Sequence, residues 1–381
     1  MKTFTNTSYI KNLLLLALLL LGSASFAQDV EVIVTEEEEE ENKKFSFSGS
    51  ADGYFRANFN GLNKVIPVDA GGSVGPTAPG TSFANRPGFA LGMVNLIGTY
   101  EGKKVGVVAD LVFGPRGEEA VFGSPVGSAN IINQLYVYWN VSEKTTLTFG
   151  NFNTFLGYEV ISPTGNFNYS TSYMFSYGPF SHAGIKADFD LGNDWSAMVA
   201  IMNPTDFTDI NPFSEYTFGA QVGYSGQFLN FIYGKQGFNE TIVTGVPTDT
   251  DIKGLFQIDY TGGFDIGDSF FLGINATYQD TDGVGFYGAA LYPQYTTSDT
   301  FTIGLRGEYF KEMGDFGAIG TGVDDSDVFA ITLSGNVTIG DYLTFIPEIR
   351  LDSASDDAFI NNDLEASKSL SSFLLAAVFA F

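Results

Sequence analysis

The sequence predicts an all-β fold, a transmembrane antiparallel β-barrel of about 16 strands (range 14 to 18), and three observations lead there. Apolar and polar residues alternate with a period of two through most of residues 45 to 381. The connectors between these stretches alternate between short and long. The long apolar run at the N-terminus, Leu13 to Leu21, has nine residues, too few for a spanning helix, which needs about 20. Membrane insertion therefore has to use strands.

Residues 1–27 read as a signal peptide: Lys2 and Lys11 precede the apolar run, and Ser25-Phe26-Ala27 puts small residues at a cleavage site. Residues 28–43, with six consecutive glutamates from Glu36 to Glu41, read as an acidic, disordered periplasmic tail, because dense like charge repels itself and stays solvated. The outer-membrane β-barrel is then residues 44–381.

Composition narrows the function. There are 18 Lys+Arg against 44 Asp+Glu, a net charge of −26, no Cys and one His. A chain this acidic lacks the basic surface that nucleic acid requires. Without Cys there is no disulfide or thiolate zinc site, and His182 alone cannot build a histidine cluster. It falls on a strand beside Lys186 and Asp188, where it reads as a wall residue rather than a catalytic base, so no enzyme activity is expected. The acidic runs Asp324-Asp325-x-Asp327 and Asp280-x-Asp282-Gly283 lack the late Glu of a calcium loop, and neither metal nor cofactor is expected.

Period two means that successive side chains face opposite sides of a strand. In the first strand Phe45, Phe47, Phe55 and Phe59 share one face, while Asp52, Tyr54, Arg56 and Asn58 share the other. The same reading places Leu135, Val137 and Trp139 outward with Tyr136 and Tyr138 inward, and Phe286, Ala290 and Tyr292 outward with Tyr287 inward. Short connectors such as 142–144, 225–227 and 339–342 alternate with long ones such as 61–88, 114–130, 153–180 and 353–368. Short turns on one rim and long loops on the other are the layout of an outer-membrane barrel. One exception, Asp280 to Gly283, is short on the long-loop side. An even strand count puts both termini on the periplasmic side. The last strand ends on Phe381 with apolar residues at every second position back to Phe373, a terminus suited to the barrel-assembly machinery.

Several motifs carry a resemblance. Gly150-x6-Gly157-x-Glu159, then Ser170-x-Ser172 and Pro179-x4-Gly184, then Arg306-x-Glu308-x-Phe310 and Glu348-x-Arg350-x-Asp352, occur in that order. In this the chain resembles the OmpL-like family of β-barrel porins of the Gram-negative outer membrane. The resemblance implies a porin for ion and solute transport and names no solute.

The expected function is a water-filled channel for passive diffusion of small hydrophilic solutes, mildly cation-preferring. The alternative is a surface-binding or structural barrel whose channel is closed by loops 61–88 and 153–180. The pore-lining residues expected from side-chain phase are Arg56, Asp110, Lys186, Asp188, Arg306, Glu308, Glu348, Arg350 and Asp352, with Asp52, Lys253 and Asp259 on the same inward phase. Arg306 and Arg350 are expected to pair with Glu308, Glu348 and Asp352 in one cluster, bridging over the small Ala330, Thr332 and Ser334. The expected partners are outer-membrane lipid and lipopolysaccharide, the assembly machinery through Phe381, the solutes, and further copies of the chain in a homo-oligomer.

Overall fold

The computed structural model describes residues 44–381 apart from 69–71, 122–128, 212 and 236–253. The signal-peptide and acidic-tail assignments, and Lys253, lie outside the described residues.

Sixteen antiparallel strands form one closed barrel, each beside its neighbours in sequence. They are β1 (Lys44–Asn58), β2 (Gly88–Glu101), β3 (Val105–Phe113), β4 (Ile132–Ser142), β5 (Thr145–Asn153) and β6 (Ser181–Gly192). Next come β7 (Trp195–Met202), β8 (Thr217–Tyr224), β9 (Gln227–Lys235), β10 (Gly254–Ile266) and β11 (Phe270–Thr281). The series ends with β12 (Val284–Ser298), β13 (Phe301–Met313), β14 (Asp327–Ile339), β15 (Leu343–Ala354) and β16 (Ser369–Ala380). β1 closes on β16 in the register Ser50 with Ala380 through Asn58 with Ser372. Closure satisfies the backbone groups that an open edge would leave bare in lipid. No helix among the described residues is long and apolar enough to cross a membrane.

The outward face is apolar, as the alternation requires: Leu135, Val137 and Trp139 stand exposed on the outer wall. Exposed Trp195, Tyr224, Tyr295 and Tyr342 lie at the short-turn rim, where amphipathic rings suit a membrane interface. Register slips mark bulges in several strands, β2, one of the two that alternate less regularly in sequence, among them. β2 slips register opposite Ala51 and Gly53, and β4 slips opposite Asp110 and Leu111. A bulge adds one residue and exchanges the two faces. The short connector on the long-loop side is a tight turn, with Asp282 and Gly283 both at positive φ (58° and 88°).

One strand is inverted relative to the sequence reading. In β12, Phe286, Ala290 and Tyr292 are buried toward the lumen, and Tyr287 and Leu291 face outward. The lumen here is packed with protein. Phe286 stacks on Phe310 at 4.9 Å, and Tyr292 stacks on Tyr158 of the loop between β5 and β6 at 4.2 Å. A strand buried on the inside and lipid-facing on the outside is apolar on both faces, so alternation cannot orient it.

Among the described residues, long loops enter the lumen. The 59–87 loop carries a two-residue ladder, Ile66–Pro67 with Ser73–Val74. The 154–180 loop carries a short helix α1 (Tyr173–Tyr177), whose N-cap Ser172 accepts a bond from Phe175 N at 3.1 Å. Tyr173 and Met174 of that helix join Phe286, Ala290, Tyr292, Phe310, Val328 and Ala330 in a buried apolar cluster inside the barrel.

Candidate functional site

Inward-facing charged side chains of the wall hold the 154–180 loop by its backbone. Glu308 on β13 accepts from Tyr173 N at 2.9 Å and Met174 N at 2.8 Å. Glu348 on β15 accepts from Tyr169 N at 2.6 Å and Ser170 N at 3.1 Å. Asp259 on β10 accepts from Gly157 N at 2.9 Å, and Asp52 on β1 accepts from the Tyr169 hydroxyl at 2.5 Å. Guanidinium groups take the loop carbonyls. Arg306 Nη1 donates to Ser170 O at 2.6 Å and Arg350 Nη1 to Thr171 O at 2.8 Å. Arg116, from the loop after β3, donates to Ile161 O at 2.8 Å and Tyr169 O at 3.1 Å.

The loop answers with one carboxylate of its own. Glu159 pairs with Arg306 at 2.6 Å, and both side chains are almost fully shielded from solvent. Its second oxygen accepts from Ser172 N at 2.7 Å and Ser172 Oγ at 2.6 Å. The motif residues from separate parts of the sequence thus meet around one loop, because charges buried this deeply persist only when paired and hydrogen-bonded.

The 59–87 loop adds a second layer. Arg56 Nη1 donates to Thr77 O and Asn85 O, both at 3.3 Å. Ser82 N donates to Ser176 Oγ at 2.8 Å, and the Thr171 hydroxyl donates to Ser82 O. Phe83 packs against the stacked pair Phe175 and Phe180, each ring centroid 5.8 Å away. Burial pushes the Tyr158 hydroxyl of the inward loop up to about 12 and raises those of Tyr169 and Tyr173, so all three stay neutral.

The expected single cluster bridging β13 and β15 does not form as drawn. Arg306 pairs with Glu159 of the loop, while Arg350 forms a two-oxygen pair with Asp352 on its own strand, at 2.8 to 3.1 Å. Glu308 and Glu348 are occupied by loop amides. Extended side chains from strands two apart can reach one another only if nothing lies between them, and the loop lies there. Arg56, Asp110, Arg306, Glu308, Glu348, Arg350 and Asp352 are all buried. Asp110 accepts from Asn133 at 2.7 Å, from Gln134 at 3.0 Å and from Asn95.

Lys186 and Asp188 on β6 differ. They pair with each other at 2.7 Å and keep 24% and 40% of their side-chain surface exposed. They sit on the wall formed by β4, β5 and β6, in rows with Tyr138 and Thr148, and with Asn140 and Thr146, toward the short turns. His182, at the loop's return into β6, is fully buried, with Nε2 3.0 Å from Thr154 Oγ1. Glu159, Arg116 and Ser172 were not among the expected site residues. The signal for Glu159 was present as a motif position, but nothing in the sequence joined it to Arg306.

A closed sixteen-stranded barrel with an apolar outer wall and an inward-held loop belongs to the porin class of outer-membrane channel rather than to enzymes. Residues 44–381 match the family described as "Putative beta-barrel porin-2, OmpL-like", and the chain belongs to that family. Solved structures with the same fold share little sequence. OprB of Pseudomonas putida is 12% identical at a TM-score of 0.58, covering 88% of this chain and 94% of that one. The outer membrane channel DcaP of Acinetobacter baumannii is 12% identical at 0.57, covering 91% and 100%. OmpT of Vibrio cholerae in its trimer form is 12% identical at 0.52, covering 89% and 99%. No curated relative matches the chain.

Proposed function

We propose that this barrel passes small hydrophilic solutes by passive diffusion, along the wall formed by β4 to β6, with a mild preference for cations. The observation that carries the reading is the sorting of inward charges: Lys186 and Asp188 keep their exposure while the charges of the opposite wall are buried against the loop. Those two are the pore-facing charges, Arg56, Arg306, Glu308, Glu348, Arg350 and Asp352 shape the passage by holding what fills it, and Asp110 ties β2 to β4. The cation preference comes from exposed Asp190, Asp194, Asp265, Asp268, Asp299 and Asp341 on the short turns, which outnumber Lys103, Lys104 and Lys144 on the same rim, since rings of carboxylates attract cations.

Both termini are periplasmic in this reading, the last strand engages the barrel-assembly machinery, the apolar wall meets lipid and lipopolysaccharide, and copies associate as homo-oligomers. Reversal potential across a planar bilayer under a salt gradient tests the selectivity. A cation-selective potential is expected, and an anion-selective one overturns it. A second reading, a barrel closed by its own loops, draws on the burial of 154–180 and 59–87 within the lumen. Absence of conductance from correctly folded protein would favour it.

A further inference from the structure

Resting on the channel reading, the exposed wall of β4 to β6 has a distinct chemical character. Tyr138 stands directly opposite Gly106 of the neighbouring strand. A methyl group added at Gly106 would overlap the end of the Tyr138 ring, so the ring lies down across β3 with its tip over the glycine. One face is thereby covered by backbone and the other is turned toward the lumen. In the same row come Thr148 and then Lys186, two strands and about 10 Å from the Tyr138 backbone and three strands from the glycine beneath its ring, a span suited to a disaccharide. The next row, nearer the turns, holds Asn140, Thr146 and Asp188. Thr146 Oγ1 donates to Asn140 Oδ1 at 3.0 Å, which fixes the amide with its N–H groups free to donate. Lys186 Nζ donates to both Asp188 oxygens, at 3.0 and 2.7 Å.

Taken as a surface, this shelf has one cation and one anion that neutralise each other, a flat aromatic face, and several hydroxyl, amide and carboxylate groups within one ligand's reach. A net-neutral shelf gives no Coulombic advantage to an ion. An aromatic face favours a solute with a compact apolar face, and the surrounding donors and acceptors favour one with hydroxyls around its edge. A pyranose ring has both: axial C–H bonds on its faces and equatorial hydroxyls on its rim. We infer that this shelf is a subsite for neutral pyranose saccharides, with Tyr138 as the platform and Asn140, Lys186 and Asp188 as hydrogen-bonding partners.

The test is current block in planar bilayers containing the purified full-length mature protein, titrated with maltose and, in parallel, with mannitol, an acyclic polyol that offers hydroxyls without a ring face. Saturable block by maltose and none by mannitol at the same concentrations is expected. Tyr138→Ala should raise the half-blocking maltose concentration about fivefold, as the loss of one stacked ring implies. Tyr138→Phe should keep the block, and Gly106→Val, which pushes the ring off its seat, should weaken it. Heat-modifiable migration checks that each variant folds. Ion conductance with no saccharide block, equal block by mannitol, or a block indifferent to Tyr138→Ala overturns the subsite and leaves the channel standing. Absence of ion conductance overturns the channel reading, and the subsite with it.

Discussion

Two walls of one barrel use inward charge in opposite ways. From β13 round to β1, Arg306, Glu308, Glu348 and Asp52 bond the inward loop, and Arg306, Glu308 and Glu348 are buried. From β4 to β6, Lys186 and Asp188 pair with each other, Lys186 Nζ also lies over the Phe152 ring at 5.7 Å, and both stay partly in solvent. An inward charged residue in a barrel therefore has two meanings, and the neighbours of its side chain decide between them. Where a loop can fold against the wall, a carboxylate is an acceptor for backbone amides. Where none does, it is either tied to its neighbours, as Asp110 is to Asn95, Asn133 and Gln134, or left partly exposed, as Asp188 is.

The contrast is most easily broken at Arg306. Arg306→Ala leaves Glu159 buried without its cation and Ser170 O without a donor, a loss of about 3 to 5 kcal/mol in loop docking. Faster amide exchange over 157–177 and larger, noisier single-channel conductance are expected. Lys186→Ala, removing a partly exposed pair, is worth about 0 to 1 kcal/mol and should leave loop exchange unchanged. Equal effects from the two substitutions would erase the distinction between the walls.

Glu348→Ala should have an effect of comparable size. It strands the amides of Tyr169 and Ser170 and the Ser334 hydroxyl, each lost partner costing about 1 to 3 kcal/mol when buried. Glu348→Gln keeps one acceptor oxygen and should fall between wild type and Ala in exchange protection at those two amides. If Gln and Ala behaved alike with loop protection intact, the carboxylate would have a role other than holding the loop.

A smaller effect is set by pH. Asp206, in the loop after β7, accepts from Phe180 N at 2.8 Å and Ser181 N at 2.9 Å, where the inward loop returns to the wall. Burial pushes its carboxyl from the ordinary 3.8 up to about 6. A raised carboxyl value means the folded anchor favours the protonated form. Its contribution is fully present below about pH 4 and is lost as pH rises through about 6. Protection of the Ser181 amide should be greater at pH 5 than at pH 7.5, after correction for intrinsic exchange. Asp206→Asn, which keeps an acceptor and removes the titration, should flatten that difference. The opposite slope would contradict the assignment.

Much of this fold was legible in the sequence because a lipid-facing wall enforces alternation at every second residue. The outward Leu135, Val137 and Trp139 were readable for that reason, as were the even strand count and the split between short and long connectors. What failed did so for physical causes. β12 was oriented backwards because Phe286 and Tyr292 pack on lumenal protein, which removes the polar inner face that alternation depends on. The site residues were readable as inward but not as loop anchors. Glu159 lies 147 positions from Arg306, and the period of a strand carries no information about which loop will reach it.

The two-wall account is tested most directly by cysteine accessibility, which the absence of native Cys makes clean. Single cysteines at Asp188 and Thr146 on the exposed wall are compared with single cysteines at Thr332 and Ser334 on the covered wall, using a membrane-impermeant methanethiosulfonate on folded protein in liposomes with both sides accessible. Rapid labelling at 188 and 146, with 332 and 334 labelled only after Arg306→Ala is added, is the expected result. Equal labelling of all four positions in the unmodified background would contradict the account.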